Sequence, residues 1–190
     1  MKRLNHYIQK GKVYRRLDLE YYSTSIDRDL AALTNSGTLI KLQQGLYYAP
    51  RKSKFGIVPP DDRDLVEVFL KDQDFLLLSP NAYNTLGLGF TQLHNTTWVY
   101  NHKRVGEFNL NGKQFEFFKK SAYPEKLTTE FLVVDLMNQM GRLAEDHNRT
   151  FEKLQQKVSE FNAVGLIEAT QKYGTGATKR RMKAVLRKAL

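Results

Sequence analysis

A chain of 190 residues, 41% hydrophobic and 26% charged, holds enough apolar material for a packed core and is neither disordered nor membrane-embedded in composition. It contains no cysteine, which excludes disulfides, thiolate zinc sites and a cysteine nucleophile and fits a reducing compartment. The net charge of +10 is unevenly spread: residues 1–55 carry 11 basic and 4 acidic side chains, 56–170 carry 12 and 16, and 171–190 carry 7 and none.

Basic ends around a mildly acidic middle point to a polyanion touched by the ends, because Lys and Arg that neutralise phosphates release condensed counterions. The longest apolar runs, 75–78 and 131–134, are too short to span a bilayer. The opening Met1 to His6 has charges but no apolar stretch after them. Neither a secretory signal nor a membrane partner is expected, and the cytoplasm is the expected location.

In chain order, Asn5 to Lys10 reads as the end of a short helix stopped by Gly11. Val13 to Leu17 is an extended lead into a second short helix at Asp18 to Tyr22. The hydroxyl run Ser23-Thr24-Ser25 then breaks the pattern, and Thr24 with Asp27 approximates a capping box. A third helix is predicted from Ser25 to Asn35, with Ile26, Leu30 and Leu33 as its buried stripe and Gly37 as its stop.

Helix, polar turn and amphipathic helix is the helix-turn-helix order, in which the second helix can lie in the major groove. Opposite the stripe lie Arg28, Ala32 and Asn35, joined one turn earlier by Ser25. Arg and Asn carry the planar groups that pair two-fold with guanine and adenine edges. Asp27 and Asp29 would repel a duplex, which favours selective readout over a general phosphate clamp. Two apolar runs, Thr38 to Leu42 and Leu46 to Ala49, flank Gln43-Gln44-Gly45 and predict a hairpin that serves as a wing.

The DNA-binding set expected from this arrangement is Arg15, Arg16, Ser23, Thr24, Ser25, Arg28, Asn35, Lys41, Gln43, Gln44, Arg51 and Lys52, with double-stranded DNA as the partner. The alternative is a winged helix used for protein contacts.

The stretch Leu39-Ile-Lys-Leu-Gln-Gln-Gly-Leu-Tyr-Tyr-Ala-Pro50 resembles the wing of AbiEi-type antitoxins, the regulatory halves of type IV toxin–antitoxin systems. Leu78-Ser-Pro-Asn-Ala-Tyr-Asn-Thr-Leu-Gly-Leu88 and Val99-Tyr-Asn-His-Lys-Arg104 resemble a bacterial family of AbiEi-related proteins with the same wing. The resemblance implies an antitoxin that represses its own operon through the winged helix, with a C-terminal domain that counters a nucleotidyltransferase-like toxin. An orphan regulator without a toxin fits it as well.

Ile57-Val58-Pro59-Pro60-Asp61 is the expected junction, dividing a winged helix at 1–56 from an α+β interaction domain at 60–190. Asp62 to Lys71 reads as a helix with Leu65, Val68 and Phe69 inward, Phe75 to Leu78 as a buried strand, and Ser79-Pro80 as a helix start. Thr96 to Asn101 alternates as a strand. Val105 to Lys119 is a hairpin around Asn111-Gly112, its apolar surface supplied by Phe108, Leu110, Phe115 and Phe117. Helices are predicted over Phe131 to Leu143, Phe151 to Phe161 and Val164 to Tyr173.

The fold class is therefore α+β with a helical C-terminus. A last helix from Thr178 would put Arg180, Lys183 and Arg187 along one face and Met182, Val185 and Leu186 on another. Lys179, Arg180, Arg181, Lys183, Arg187 and Lys188 form a second basic surface that suits nucleic acid, an acidic partner, a membrane surface or plain solvent.

Catalytic patterns are weak. Asp72-Gln-Asp74 has paired-carboxylate spacing without the Gly-Ser that precedes it in nucleotidyltransferases, and Glu116 with Lys119 is one residue too long for a nuclease motif. His6, His94, His102 and His147 lack metal-ligand spacing, and Gly174-x-Gly176 is too short for a phosphate loop. Asn95-Thr-Thr97 and Asn148-Arg-Thr150 fit the glycosylation pattern, which has no meaning without secretion. No enzyme activity, metal or cofactor is expected.

Overall fold

Ile26, Leu30 and Leu33 are buried together, as their spacing requires, and around them the first of two compact units is built. A computed structural model describes residues 2–90, 93–144 and 146–187. One unit comprises residues 1–75 and 106–115, the other 76–105 and 116–190. The chain is a mixed α+β protein with a helical C-terminus.

The first unit begins with α1 (Lys2–Tyr7), β1 (Val13–Arg15), α2 (Arg16–Glu20) and α3 (Ile26–Asn35). Next come β2 (Ile40–Gln43) and β3 (Leu46–Tyr48), and the three strands form an antiparallel sheet in the order β1-β3-β2. Tyr48 of β3 faces Val13 on one side and Ile40 on the other. Leu4, Tyr14, Leu19, Leu39 and Ala49 join the α3 stripe in one core. The predicted lead into α2 is a true strand, and α2 starts two residues early, at Arg16. The Thr24–Asp27 capping box does not form: Ser25 is the N-cap of α3 without a side-chain cap bond.

The chain then makes a second hairpin from β4 (Arg51–Ser53) and β5 (Gly56–Val58), where a domain linker was expected. Helix α4 (Asp62–Leu70) follows, with the Asp61 carboxylate accepting from the Arg63 and Asp64 amides. Its buried residues are Leu65, Val66 and Leu70, while Val68 and Phe69 are half-buried, so the covered arc is rotated from the expected one. Pro59-Pro60 is therefore not the boundary between the units. The unit runs on to Phe75 and takes in residues 106–115, where Lys113 Nζ meets Asp62 at 2.6 Å and the Phe108 ring lies edge-on to Phe69 at 4.9 Å. Prolines stiffen a chain, but burial of the residues beyond them decides whether a domain ends there.

Strands β8 (Gly106–Leu110) and β9 (Lys113–Lys119) flank Asn111-Gly112, both with positive φ (56° and 77°), the geometry of a type I′ turn. The division between units falls within β9. In the second unit, β6 (Phe75–Leu78), β7 (Thr96–Asn101) and the end of β9 are neighbours in that order. A 3₁₀ segment over Pro80–Leu86 is capped by the Ser79 hydroxyl. Helices α5 (Thr129–Gln139), α6 (His147–Lys157), α7 (Ala163–Tyr173) and α8 (Gly176–Leu186) complete the unit. Their core contains Leu78, Trp98, Leu132, Leu136, Leu154, Leu166, Met182 and Val185. Among the described residues, no helix is long and apolar enough to cross a membrane.

Candidate nucleic-acid interface

The turn between α2 and α3 is held by two acidic residues that the sequence placed on the outer surface. The Asp29 side chain is buried, 6% exposed, and accepts a 2.8 Å bond from the Ser23 hydroxyl, which itself accepts from the Ser25 amide at 3.0 Å. The Ser23 hydroxyl holds the Asp29 carboxyl below the usual carboxylate range. Asp27 is exposed but paired: Arg16 donates from Nε and Nη2 to its two carboxylate oxygens, each at 2.7 Å, and Nη1 reaches Glu20 at 3.5 Å. That two-fold hydrogen bond holds the Asp27 carboxyl down as well. Arg15 is held in the same manner by Asp18, at 2.7 and 2.6 Å.

Arg15, Arg16 and Ser23, expected on the DNA, are thus bonded within the protein, where they shape the turn. The Asp29 side chain faces inward and the charge of Asp27 is balanced locally, so neither carboxylate stands alone on the surface. Other residues of the expected set are presented outward. Arg28 and Asn35 are exposed on α3 together with Ala32, Thr24 is exposed in the turn, and Ser25 is half-buried. Lys41 and Gln44 are exposed on the β2–β3 hairpin and Gln43 is half-buried there, beside a register shift between Lys41 and Gln43. Gly45, at φ +75°, turns the hairpin, and its carbonyl accepts from the Arg16 amide at 2.9 Å, fastening the hairpin to the start of α2. Arg51 and Lys52 are exposed on β4.

Sequence reading passed over Phe55, which is fully exposed at the end of the β4–β5 hairpin. The signal was available in Ser53-Lys54-Phe55-Gly56, a turn sequence with one large apolar residue at its centre. Lys10, Lys12, Arg51 and Lys113 border one cleft of this unit, but Asp61, Asp62 and Asp64 line it too, so it is no simple anion pocket.

In the second unit, α8 buries Thr178, Met182 and Val185 and exposes Lys179, Arg180, Arg181, Lys183 and Arg187. Leu186 is half-buried, and Lys188 lies outside the described residues. The motif residues Tyr83, Tyr100 and Asn101 are structural. Both tyrosine hydroxyls donate to one oxygen of the buried Asp135, at 2.7 and 2.6 Å, and Gln139 Nε2 donates to the Tyr100 oxygen at 2.9 Å. Asn101, 1% exposed, accepts from the amides of Lys103 and Arg104 at 2.8 and 2.6 Å and donates to the Phe118 carbonyl at 3.2 Å. Burial pushes the Asp135 carboxyl up and the nearby Lys120 ammonium down.

The weak catalytic patterns also have structural uses. Asp72 accepts from the Asp74 amide at 3.1 Å, closing the loop after α4, and Glu116 pairs with Arg142. Among the described residues there is no group of three His, Asp or Glu side chains that could hold a metal ion.

No family model and no curated protein matches the chain. Among solved structures, the crystal structure of the RV2827C protein from Mycobacterium tuberculosis is similar, with a TM-score of 0.57 at 14% identity. The match covers 94% of this chain and 72% of that one. At that identity the likeness concerns the fold alone.

Proposed function

We propose that the first unit is a winged helix-turn-helix that binds double-stranded operator DNA, and that the protein is a transcriptional regulator of antitoxin type. The observation that carries this reading is the element order α1-β1-α2-turn-α3-β2-β3 with the sheet order β1-β3-β2. It occurs within a segment of 11 basic and 4 acidic residues. In this reading α3 enters the major groove, Arg28 pairs with a guanine edge and Asn35 with an adenine edge, while Lys41 and Gln44 of the wing meet backbone phosphate. The ion pair of Arg16 with Asp27 and the bond from Ser23 to Asp29 position α3 without touching DNA. The antitoxin role, repression of its own operon and control of a nucleotidyltransferase-like toxin, is supported by the resemblance of 39–50, 78–88 and 99–104.

The test is a gel shift on the duplex upstream of the protein's own gene, against a scrambled duplex. Arg28→Ala should weaken operator binding by about 1–3 kcal/mol and leave scrambled binding little changed. Equal affinity of the unsubstituted protein for both duplexes would refute specific readout.

A second reading, an interaction module for an acidic partner, is favoured by the row of unburied cations on α8. Arg180→Glu with Arg187→Glu in the full chain should then abolish capture of the neighbouring gene's product. Unchanged capture would remove α8 from that role.

A further inference from the structure

The β4–β5 hairpin carries features that neither the turn nor the wing explains. Arg51, Lys52 and Lys54 sit on eight residues with no acidic side chain, and all three are exposed. Phe55 at the tip is 100% exposed and Ile57 is 55% exposed, an unfavourable placement for two large apolar side chains in water. The tip is nonetheless tied by hydrogen bonds. The Ser53 hydroxyl accepts from the Phe55 amide at 3.1 Å and donates to the Gly56 carbonyl at 3.2 Å, and Gly56 adopts φ +112°, where a Cβ would be strained. The root is fixed as well, since the Tyr48 hydroxyl at the end of β3 donates to the Val58 carbonyl at 2.6 Å. The hairpin, three residues per strand and so on the order of 10 Å long, ends in a bare aromatic ring.

We propose that this hairpin is a second DNA-contacting arm, with Lys52 and Lys54 on backbone phosphates and the Phe55 ring inserted at a base step from the minor groove. This inference rests on the DNA-binding reading of the same unit. Charge complementarity selects the occupant, because a cationic strand pair without carboxylates suits a phosphate-lined surface. The minor groove, about 6 Å wide in an undistorted duplex, admits a single ring at the tip. Apolar wedges of this kind partly unstack a step and kink the duplex by roughly 20–90°. The arm would thus read how easily a step opens, complementing the edge contacts of α3.

The experiment uses the full chain and duplexes carrying its own upstream sequence at circularly permuted positions, so that gel mobility reports bending. The unsubstituted protein should bend the duplex. Phe55→Ala should bind with at least half of the bend lost, and Phe55→Leu, which keeps an apolar wedge, should retain it. Lys52→Ala with Lys54→Ala should lower the slope of log affinity against log salt by about 1.8, near 0.9 for each phosphate contact. All these side chains are solvent-exposed, so circular dichroism should be unchanged. If the unsubstituted protein binds and these variants match it in bend and salt slope, the arm proposal is wrong while the winged-helix reading stands. If the unsubstituted protein binds no DNA, both fail. Loss of binding to phosphatidylglycerol vesicles in Phe55→Ala, with DNA bending unchanged, would assign the ring to a membrane surface and overturn the proposal.

Discussion

Arg16 and Asp27, eleven residues apart, form a two-fold hydrogen-bonded ion pair that joins the first residue of α2 to the first turn of α3. By sequence alone Arg16 belongs to the DNA-binding set and Asp27 opposes a duplex. Paired, they form a brace that sets how α3 leaves the turn. Such a pair at the surface contributes direction more than stability, since solvent and salt screen it.

If the first unit binds DNA as proposed, releasing that brace should change how the duplex is held. Asp27→Asn frees the Arg16 guanidinium, and the salt slope of binding should steepen by up to about 0.9 while the ratio of operator to scrambled affinity falls. Fluorescence anisotropy across a salt series measures both. An unchanged slope would mean that Arg16 stays away from phosphate even when unpaired.

Acid should loosen the same turn. The Asp29 carboxyl is held below its ordinary range by Ser23, so its stabilising contribution is present above that range and is lost as pH falls through the depressed value. Ser23→Ala should lower the melting temperature at pH 7, and the gap to the unsubstituted protein should narrow towards pH 3. A gap independent of pH would show that Ser23 acts through packing alone.

The buried centre of the second unit should respond with the opposite sign. Burial raises the Asp135 carboxyl, so the native state holds its proton more tightly than the unfolded chain does. The contribution is full at low pH and drains as pH rises from the ordinary carboxylate range through the raised value. Asp135→Asn, which cannot ionise, should gain stability relative to the unsubstituted protein between pH 4 and pH 7 in denaturant titrations. Tyr83→Phe removes one of the two donors to that carboxyl and should cost about 1–3 kcal/mol.

Helix α8 separates packing from charge. Met182 is 0% exposed, and Met182→Ala should cost about 2–5 kcal/mol. Arg180→Gln with Arg187→Gln, both on the exposed side, should change stability by no more than about 0.5 kcal/mol each. Chemical denaturation of the full chain tests both.

A fragment of residues 60–190, cut at the paired prolines, should fold poorly. It keeps α4 and the 106–115 segment but loses β1, which packs against α4, and the rest of the first unit's own chain before Pro60. Broad, poorly dispersed amide resonances are expected, and a well-dispersed spectrum would re-establish the division at the prolines.

What local spacing encodes was legible in advance. The Ile26-Leu30-Leu33 stripe, the β2–β3 hairpin, the Asn111-Gly112 turn and the buried side of α8 all follow from neighbours three or four residues apart or from φ preferences of single residues. The outward placement of Arg28 and Asn35 follows from the same periodicity. Periodicity also marked an arc of α4 but not which neighbours would cover it, so Val66 and Leu70 are buried where Val68 and Phe69 were expected.

Partners distant in sequence were decided by the tertiary structure alone. Lys113 with Asp62 across 51 residues and Tyr83 with Asp135 across 52 leave no trace in a window of helical or strand length. A charged side chain has the same sequence signature whether it faces water, a phosphate or a carboxylate of its own chain. Composition thus determined that this protein is basic at both ends, and folding determined which cations are paired: Arg15 and Arg16 hold carboxylates of their own chain, Arg51 shares a cleft with Asp61, Asp62 and Asp64, and Lys52 and Lys54 stand exposed on a hairpin whose own residues include no carboxylate.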